Sequence, residues 1–106
     1  MPIWKPASVD RAPEVTMSEW RIMEVTSPYW DGASRHFVGH NVTDGEGRVS
    51  SNIVEFDKEK MVGITRSGRV YHLVGSSRQD ADAGYVWNQW KKINHVDSEL
   101  DVSESI

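Results

Sequence analysis

Three arginines would form an anion-binding site if the fold brought them together. Arg48, Arg66 and Arg69 each lie within two residues of a glycine, in segments that favour turns. Guanidinium groups bind phosphate or carboxylate through forked, charge-assisted hydrogen bonds. The hydroxyl of Ser67 adds a donor between two of them. We therefore predict that Arg48, Arg66, Ser67 and Arg69 bind an anionic ligand; the alternative is that the arginines are solvated or paired with nearby acidic residues.

Tyr29 and Trp30 form a second candidate contact for a ligand. These adjacent aromatic residues fall in a segment that contains Pro28 and Asp31-Gly32, which is typical of a loop. Exposed rings stack on a base, a sugar or a partner side chain. The alternative is that both rings fold back over the core, where their burial stabilises the domain.

The remaining residues predict neither a metal site nor a known catalytic motif. His36 and His40 are four residues apart on a predicted strand, which is about 13 Å and too far to share a metal. The sequence has no His-Glu-x-x-His motif, no paired cysteines and no carboxylate ladder, so no metal and no cofactor are expected. Many Ser, His and Asp combinations exist, but no Gly-x-Ser-x-Gly motif singles one out. A non-enzymatic role is therefore favoured over an enzyme with an unrecognised site.

Composition limits the class of protein. The chain has 106 residues, which suits one domain, and no cysteine, which excludes disulfides and thiol chemistry. Its net charge of −4 disfavours a general nucleic-acid-binding surface, although residues 34–79 hold seven basic and five acidic groups. No apolar run is long enough to span a membrane, and the first residues lack a secretory pattern. We expect a cytoplasmic protein.

The segment from Met61 to Val74 predicts the β-hairpin that positions two of the arginines. A two-residue loop at Ser67-Gly68 would pair Arg66 with Arg69. A three-residue loop with a bulge at Gly68 is the alternative, and it would shift the pairing by one residue and separate the arginines. The first register is favoured because it puts one apolar set on a single face: Val62, Ile64, Tyr71 and Leu73.

The other elements complete an α+β domain. Alternating patterns predict strands over residues 19–26, 35–43 and 48–56, before the hairpin. Asp80 is a plausible N-cap for a helix from Ala81 to about Asn94, whose apolar stripe comprises Ala83, Val86, Trp87, Trp90 and Ile93. The fold predicted is a five-stranded antiparallel meander with one C-terminal helix packed on it, and an SH3-like half-open barrel is the alternative.

This meander would bring the three arginines to one rim of the sheet and the Tyr29-Trp30 loop to the opposite rim. The domain is predicted over residues 18–96. Residues 1–17 are expected to form an irregular arm, because they contain three prolines and little periodicity. Residues 97–106 are expected to form an acidic, solvated tail.

The run Thr65-Arg66-Ser67-Gly68-Arg69-Val70-Tyr71-His72-Leu73, followed by Tyr85-Val86-Trp87-Asn88-Gln89-Trp90, resembles a group of short bacterial and phage proteins. In that group a Gly-Arg-Val-Ser-Ser strand and a Ser-Gly-Arg hairpin precede a Trp-containing helix. The resemblance covers about Glu19 to Val102. It implies a cytoplasmic accessory protein of prophage type, a class in which inhibitors and ligand-sequestering proteins occur, and it implies no particular activity.

The leading hypothesis is a small binding module that recognises a protein partner or an anionic ligand through the arginine-rich rim. A single-stranded nucleic-acid-binding barrel is the second hypothesis, with Tyr29 and Trp30 stacking on bases. A phage-type inhibitor or nucleotide-signal sponge is a third, and an enzyme is the fourth. A homodimer formed through the tryptophans of the helix also stays open.

Overall fold

In the computed structural model, which describes residues 13–105, the chain forms a small, sheet-rich α+β domain with one helix. The strands and the helix have the following bounds: β1 Glu14–Thr26, β2 Ser34–Asn41, β3 Glu46–Val49, β4 Ile53–Asp57, β5 Val62–Thr65, β6 Val70–Leu73, α1 Ala81–Ile93 and β7 Ser98–Asp101.

Strand β1 is the centre of the sheet. Along one side it pairs antiparallel with β2. Along the other side its first residues pair parallel with β6, and its last residues pair antiparallel with β7. A β-bulge between Ser18 and Arg21 separates these halves, and Glu19 adopts a φ of +47° there. The extra residue rephases the strand, so that Met17 before it and Trp20 after it contribute to the same core.

The strand order corrects the predicted meander. The path is β3-β2-β1-β6-β5-β4, with β7 added beside β1, so the sheet has seven strands rather than five and is not closed. The parallel β1–β6 pair is incompatible with a meander. The predicted strand over residues 48–56 is also wrong, because it breaks at Ser50: its hydroxyl donates to Ser51 O at 2.7 Å, and the chain turns from β3 into β4.

The β5–β6 hairpin has the three-residue loop, which was the alternative register. Gly63 lies opposite Tyr71, and Thr65 N donates to Arg69 O at 3.1 Å. Gly68 takes the left-handed conformation at φ +89° that this loop requires. The predicted apolar face is therefore divided. Gly63 lies on the buried face, where the ring of Phe37 packs against it. A Cβ at this position would lie 2.3 Å from Phe37 Cζ, so there is no room for a side chain.

Two apolar cores lie on opposite faces of the sheet. The first lies on the face away from α1, and its buried members are Val15, Met17, Trp20, Ile22, Phe37, Tyr71, Leu73 and Val102. The second lies beneath α1, and its buried members are Met23, Val25, Val38, Ala83 and Trp87. The alternation along β1 and β2 supplies both cores from the same two strands.

Helix α1 confirms the predicted helix and its start at Asp80. Of the predicted apolar stripe, Ala83 and Trp87 are buried and Trp90 packs against the second core, whereas Ile93 is 46% exposed. The side chain of Asp80 caps the helix by accepting a hydrogen bond from Ala83 N at 2.9 Å. The helix packs on β2 and β3, and its first turn touches the backbone of β3. A Cβ added at Gly47 would lie 2.5 Å from backbone atoms of Asp82 and Ala83. Only glycine therefore allows this close approach.

The ends of the domain differ from the predicted boundaries. Of the predicted arm, residues 1–12 lie outside the described residues, while residues 14–17 form the start of β1. Residues 98–101 of the predicted tail form β7, and Val102 is buried in the first core. In the described part of the chain, no helix has the length and apolar character needed to cross a membrane.

We expect Gly47→Ala to lower the thermal midpoint and Gly84→Ala to raise it. The first substitution drives a methyl group into the helix backbone, which costs about 1–3 kcal/mol of unfolding free energy. The second fills open space within α1 and removes the entropic cost of a helical glycine, for a gain of about 0.5–1 kcal/mol. Thermal denaturation of both variants checks this, and a stable Gly47→Ala variant would contradict the packing described.

Candidate functional site

An open cavity of about 480 Å³ lies between the loop before β2, the β3–β4 turn and the β5–β6 hairpin. We call it the Trp30 pocket. Its lining combines an aromatic ring, one cation and several hydrogen-bonding groups: Trp30, Asp31, Gly32, Ala33, Ser34, His36, Ser51, Asn52 and Arg66.

The loop before β2 forms one wall of the Trp30 pocket. Ser27 follows β1 and is buried, and its carbonyl accepts a hydrogen bond from Trp30 N at 3.2 Å, which closes a turn. Gly32 then takes a φ of +74°, a conformation that favours glycine. The chain reverses there and enters β2 at Ser34. The turn holds the Trp30 ring near Trp90 of α1, with ring centroids 5.9 Å apart.

His36 forms the floor of the pocket and is 4% exposed. Its Nδ1 lies 2.8 Å from the carbonyl oxygen of Ser50, and its Nε2 lies 2.7 Å from Ser34 Oγ. The imidazole packs against Trp90, with ring centroids 4.6 Å apart, and lies near Trp30. Burial lowers the pKa of His36 below its ordinary value, and the hydrogen bond to Ser50 partly opposes this shift. His36 is therefore neutral at neutral pH.

The wall opposite the loop before β2 is held together by hydrogen bonds that backbone N–H groups donate. Arg66 N donates to Asn52 O at 2.7 Å, and Asn52 Oδ1 accepts from Arg35 N at 3.1 Å. Ser67 N donates to Ser51 Oγ at 3.3 Å. These bonds tie the β5–β6 hairpin to the β3–β4 turn and bring Arg66 to the pocket mouth. The Arg66 side chain is exposed, and it makes no ion pair within residues 13–105.

The structure does not place the three predicted arginines together on an exposed rim. Arg48 is 3% exposed, and its Nη2 turns back toward Asp44, 4.0 Å away, at the β2–β3 turn. Arg69 is 6% exposed and has interactions of its own. Only Arg66 is available to solvent. The non-sequential strand order and the three-residue hairpin loop explain the difference, because the rim required a meander and the two-residue loop.

The aromatic pair is divided between two environments. Trp30 lines the pocket together with Arg66, although the two were predicted at opposite rims. Tyr29 is 73% exposed and meets His95 edge-on, with ring centroids 5.1 Å apart. Ser67 lies beside the pocket and bonds to Ser51 rather than lining the cavity. Ligand binding by these residues stays a prediction.

Sequence reasoning missed Ser34, His36 and Asn52. Ser34 and His36 have a detectable signal, since residues two apart on a strand share a face. Asn52 has no such signal in the sequence, because its position in the pocket depends on the break between β3 and β4. Also missed were His40, Asp80 and Asp82, whose ligand atoms lie within 4.8 Å of one another at the start of α1. The positive end of the helix dipole opposes a cation at that position.

No family model, curated protein or solved structure matches this chain. The resemblance to short bacterial and phage proteins therefore stays a prediction, and function has to be argued from the pocket.

The burial of neutral His36 predicts that stability falls on acidification. The unfolded chain takes up a proton near the ordinary histidine pKa of about 6.5, whereas folded His36 resists it. The contribution of neutral His36 to the free energy of unfolding is present above about pH 6.5, and it is lost as pH falls through the lowered folded-state pKa. Thermal midpoints between about pH 7.5 and about pH 5 should fall less steeply in His36→Gln. His95→Gln, at an exposed histidine, is the control, and an unchanged slope in His36→Gln would contradict the prediction.

The buried guanidinium of Arg48 leads to a prediction about the stability of the domain. Its Nε and Nη1 are buried and have no hydrogen-bond partner in the part of the chain that the structure describes, and its single carboxylate neighbour is half exposed. Replacement of a poorly paired buried ion by an apolar side chain is often neutral or stabilising. We expect Arg48→Met to keep or raise the thermal midpoint, and Asp44→Asn to lower stability by about 1 kcal/mol. A large loss in Arg48→Met would show that the guanidinium is better satisfied than these contacts indicate.

Proposed function

We propose that the protein is a small ligand-binding module, and that the Trp30 pocket binds an anionic molecule with a flat, aromatic part. The observation that carries this proposal is that the pocket contains both Trp30 and the exposed, unpaired guanidinium of Arg66 within the described chain. A ring and a cation at one cavity suit a ligand that combines a π face with negative charge.

The size and the polar groups of the pocket support a small ligand. A volume of about 480 Å³ falls in the range that small-molecule sites occupy. Ser34, Ser51 and Asn52 add hydrogen-bonding groups to the wall, while the acidic side chain of Asp31 limits how much negative charge the ligand can bring close. One cation with one acid at the mouth favours a singly or doubly charged ligand over a polyanion.

A nucleoside monophosphate is the test case for this chemistry. Adenosine monophosphate carries a base, a ribose and a phosphate, whereas adenosine has the same base and ribose without the phosphate. In calorimetric titrations, we expect Arg66→Gln to weaken adenosine monophosphate about tenfold, which corresponds to the loss of one charge-assisted hydrogen bond, and to leave adenosine unchanged. Trp30→Ala should weaken both ligands.

Arg78→Gln provides the matched control, because Arg78 is also exposed but lies outside the Trp30 pocket. An equal loss of affinity in both arginine variants would mean that only the general charge matters, and would contradict the proposal. Binding of a single-stranded oligonucleotide, with a steep loss of affinity as salt rises, would instead support the nucleic-acid alternative.

A further inference from the structure

Two residues at the start of β2 form a hydrogen-bonded pair inside the Trp30 pocket. Ser34 and His36 are two apart on a strand, so their side chains lie on the same face. Ser34 Oγ and His36 Nε2 are 2.7 Å apart, and both side chains line the cavity. A hydroxyl within this distance of an imidazole nitrogen is the first requirement for an activated serine.

The environment of the imidazole fixes the direction of this hydrogen bond. Nδ1 lies 2.8 Å from the carbonyl oxygen of Ser50, and a carbonyl oxygen can only accept. Nδ1 therefore carries the hydrogen, and in the neutral ring Nε2 is the bare acceptor. It follows that Ser34 donates its O–H to His36 Nε2. This is the arrangement of a nucleophile facing its general base.

The imidazole is also held in place. His36 is 4% exposed, packs against Trp90 and lies near Trp30, so the ring cannot turn away from Ser34 without disturbing the second core. The Ser50 carbonyl has the positioning role that a carboxylate has in a catalytic triad: it fixes the tautomer and the orientation of the ring. Ser34 is only half buried and opens onto the cavity, where a ligand can reach it.

We infer that Ser34 is a nucleophile activated by His36, and that the Trp30 pocket transfers acyl groups from an ester bearing an anionic group to Ser34 and then to water. This inference rests on the proposed function in one respect, namely that the pocket admits a small anionic ligand. The charge of Arg66 at the pocket mouth attracts the anionic group, and the acyl carbonyl then meets Ser34 in the wall of the pocket.

Ser34, His36, the ester and water account for every atom of the reaction. Ser34 Oγ attacks the carbonyl carbon while its proton moves to His36 Nε2. The carbon–oxygen bond to the leaving alcohol breaks, and the imidazolium returns the proton to that oxygen. Water then attacks the acyl-serine with His36 again as the base, which releases a carboxylic acid and restores the Ser34 hydroxyl. No oxidant, metal or cofactor enters either step.

A fluorophosphonate reagent tests the nucleophile without a known substrate. Attack by Ser34 Oγ forms a phosphorus–oxygen bond and releases fluoride, so intact mass and peptide mass spectrometry report the adduct and its position. We expect a single adduct on Ser34 that forms about a hundredfold faster than on any other serine, which is the size of a general-base effect. Ser34→Ala should lose the adduct, and Ser76→Ala, at an exposed serine outside the pocket, should keep it.

His36→Gln separates activation from simple exposure of the hydroxyl. Glutamine keeps a hydrogen-bonding side chain but cannot accept a proton, so labelling should slow about a hundredfold in a variant that thermal denaturation shows to be folded. Labelling at full rate in His36→Gln, an adduct spread over several serines, or no adduct at all would overturn the inference and leave the pair a structural hydrogen bond.

Calorimetry with adenosine monophosphate on the natural chain, beside labelling of the same chain, keeps the two proposals apart. Binding without labelling in the natural chain would overturn the nucleophile and leave the binding proposal standing. Labelling of Ser34 without binding would support the nucleophile and reject the proposed ligand class. If both are correct, the nucleotide should bind the natural chain and slow the labelling of its Ser34.

Discussion

The structure depends on one constraint: strand β1 has to bury side chains on both of its faces. The bulge at Glu19 makes this possible, because one extra residue bends the strand and rephases its alternation. The first half of β1 then pairs with β6, and the second half pairs with β7 along the same edge. Both apolar cores draw on this strand, and the helix covers the second of them.

Local signals in the sequence were sufficient for the helix and for the faces of β2. Asp80 predicted the helix start, and the alternating pattern over residues 35–43 predicted the strand on which the structure has His36 and Phe37 on opposite faces. These local signals did not predict which strands, distant in sequence, pair with one another. Nothing local to residues 14–17 indicates that they pair with β6, and the register of the hairpin was decided by the Phe37 ring, which packs against Gly63 from a distant strand.

The candidate site was likewise predictable from the sequence only in part. Trp30 and Arg66 were chosen from residue type, and the structure unites them because the β3–β4 turn lies between their loops. The burial of Arg48 and Arg69 could not be read from residue type, since arginine is usually exposed. The Ser34–His36 pair was present in the sequence as an alternation, but its meaning depends on the carbonyl of Ser50, which only the fold supplies.

The parallel pairing of β1 with β6 also governs how the chain acquires its shape during synthesis. Val15 leaves the ribosome before its partner Tyr71, which follows only after β2, β3, β4 and β5 have been made. Closing so large a loop is entropically slow, and until it closes one edge of β1 is unpaired beside apolar side chains. Assembly of the first core therefore waits for the synthesis of β6, and until then the open edge of β1 is the segment most exposed to pairing with another chain.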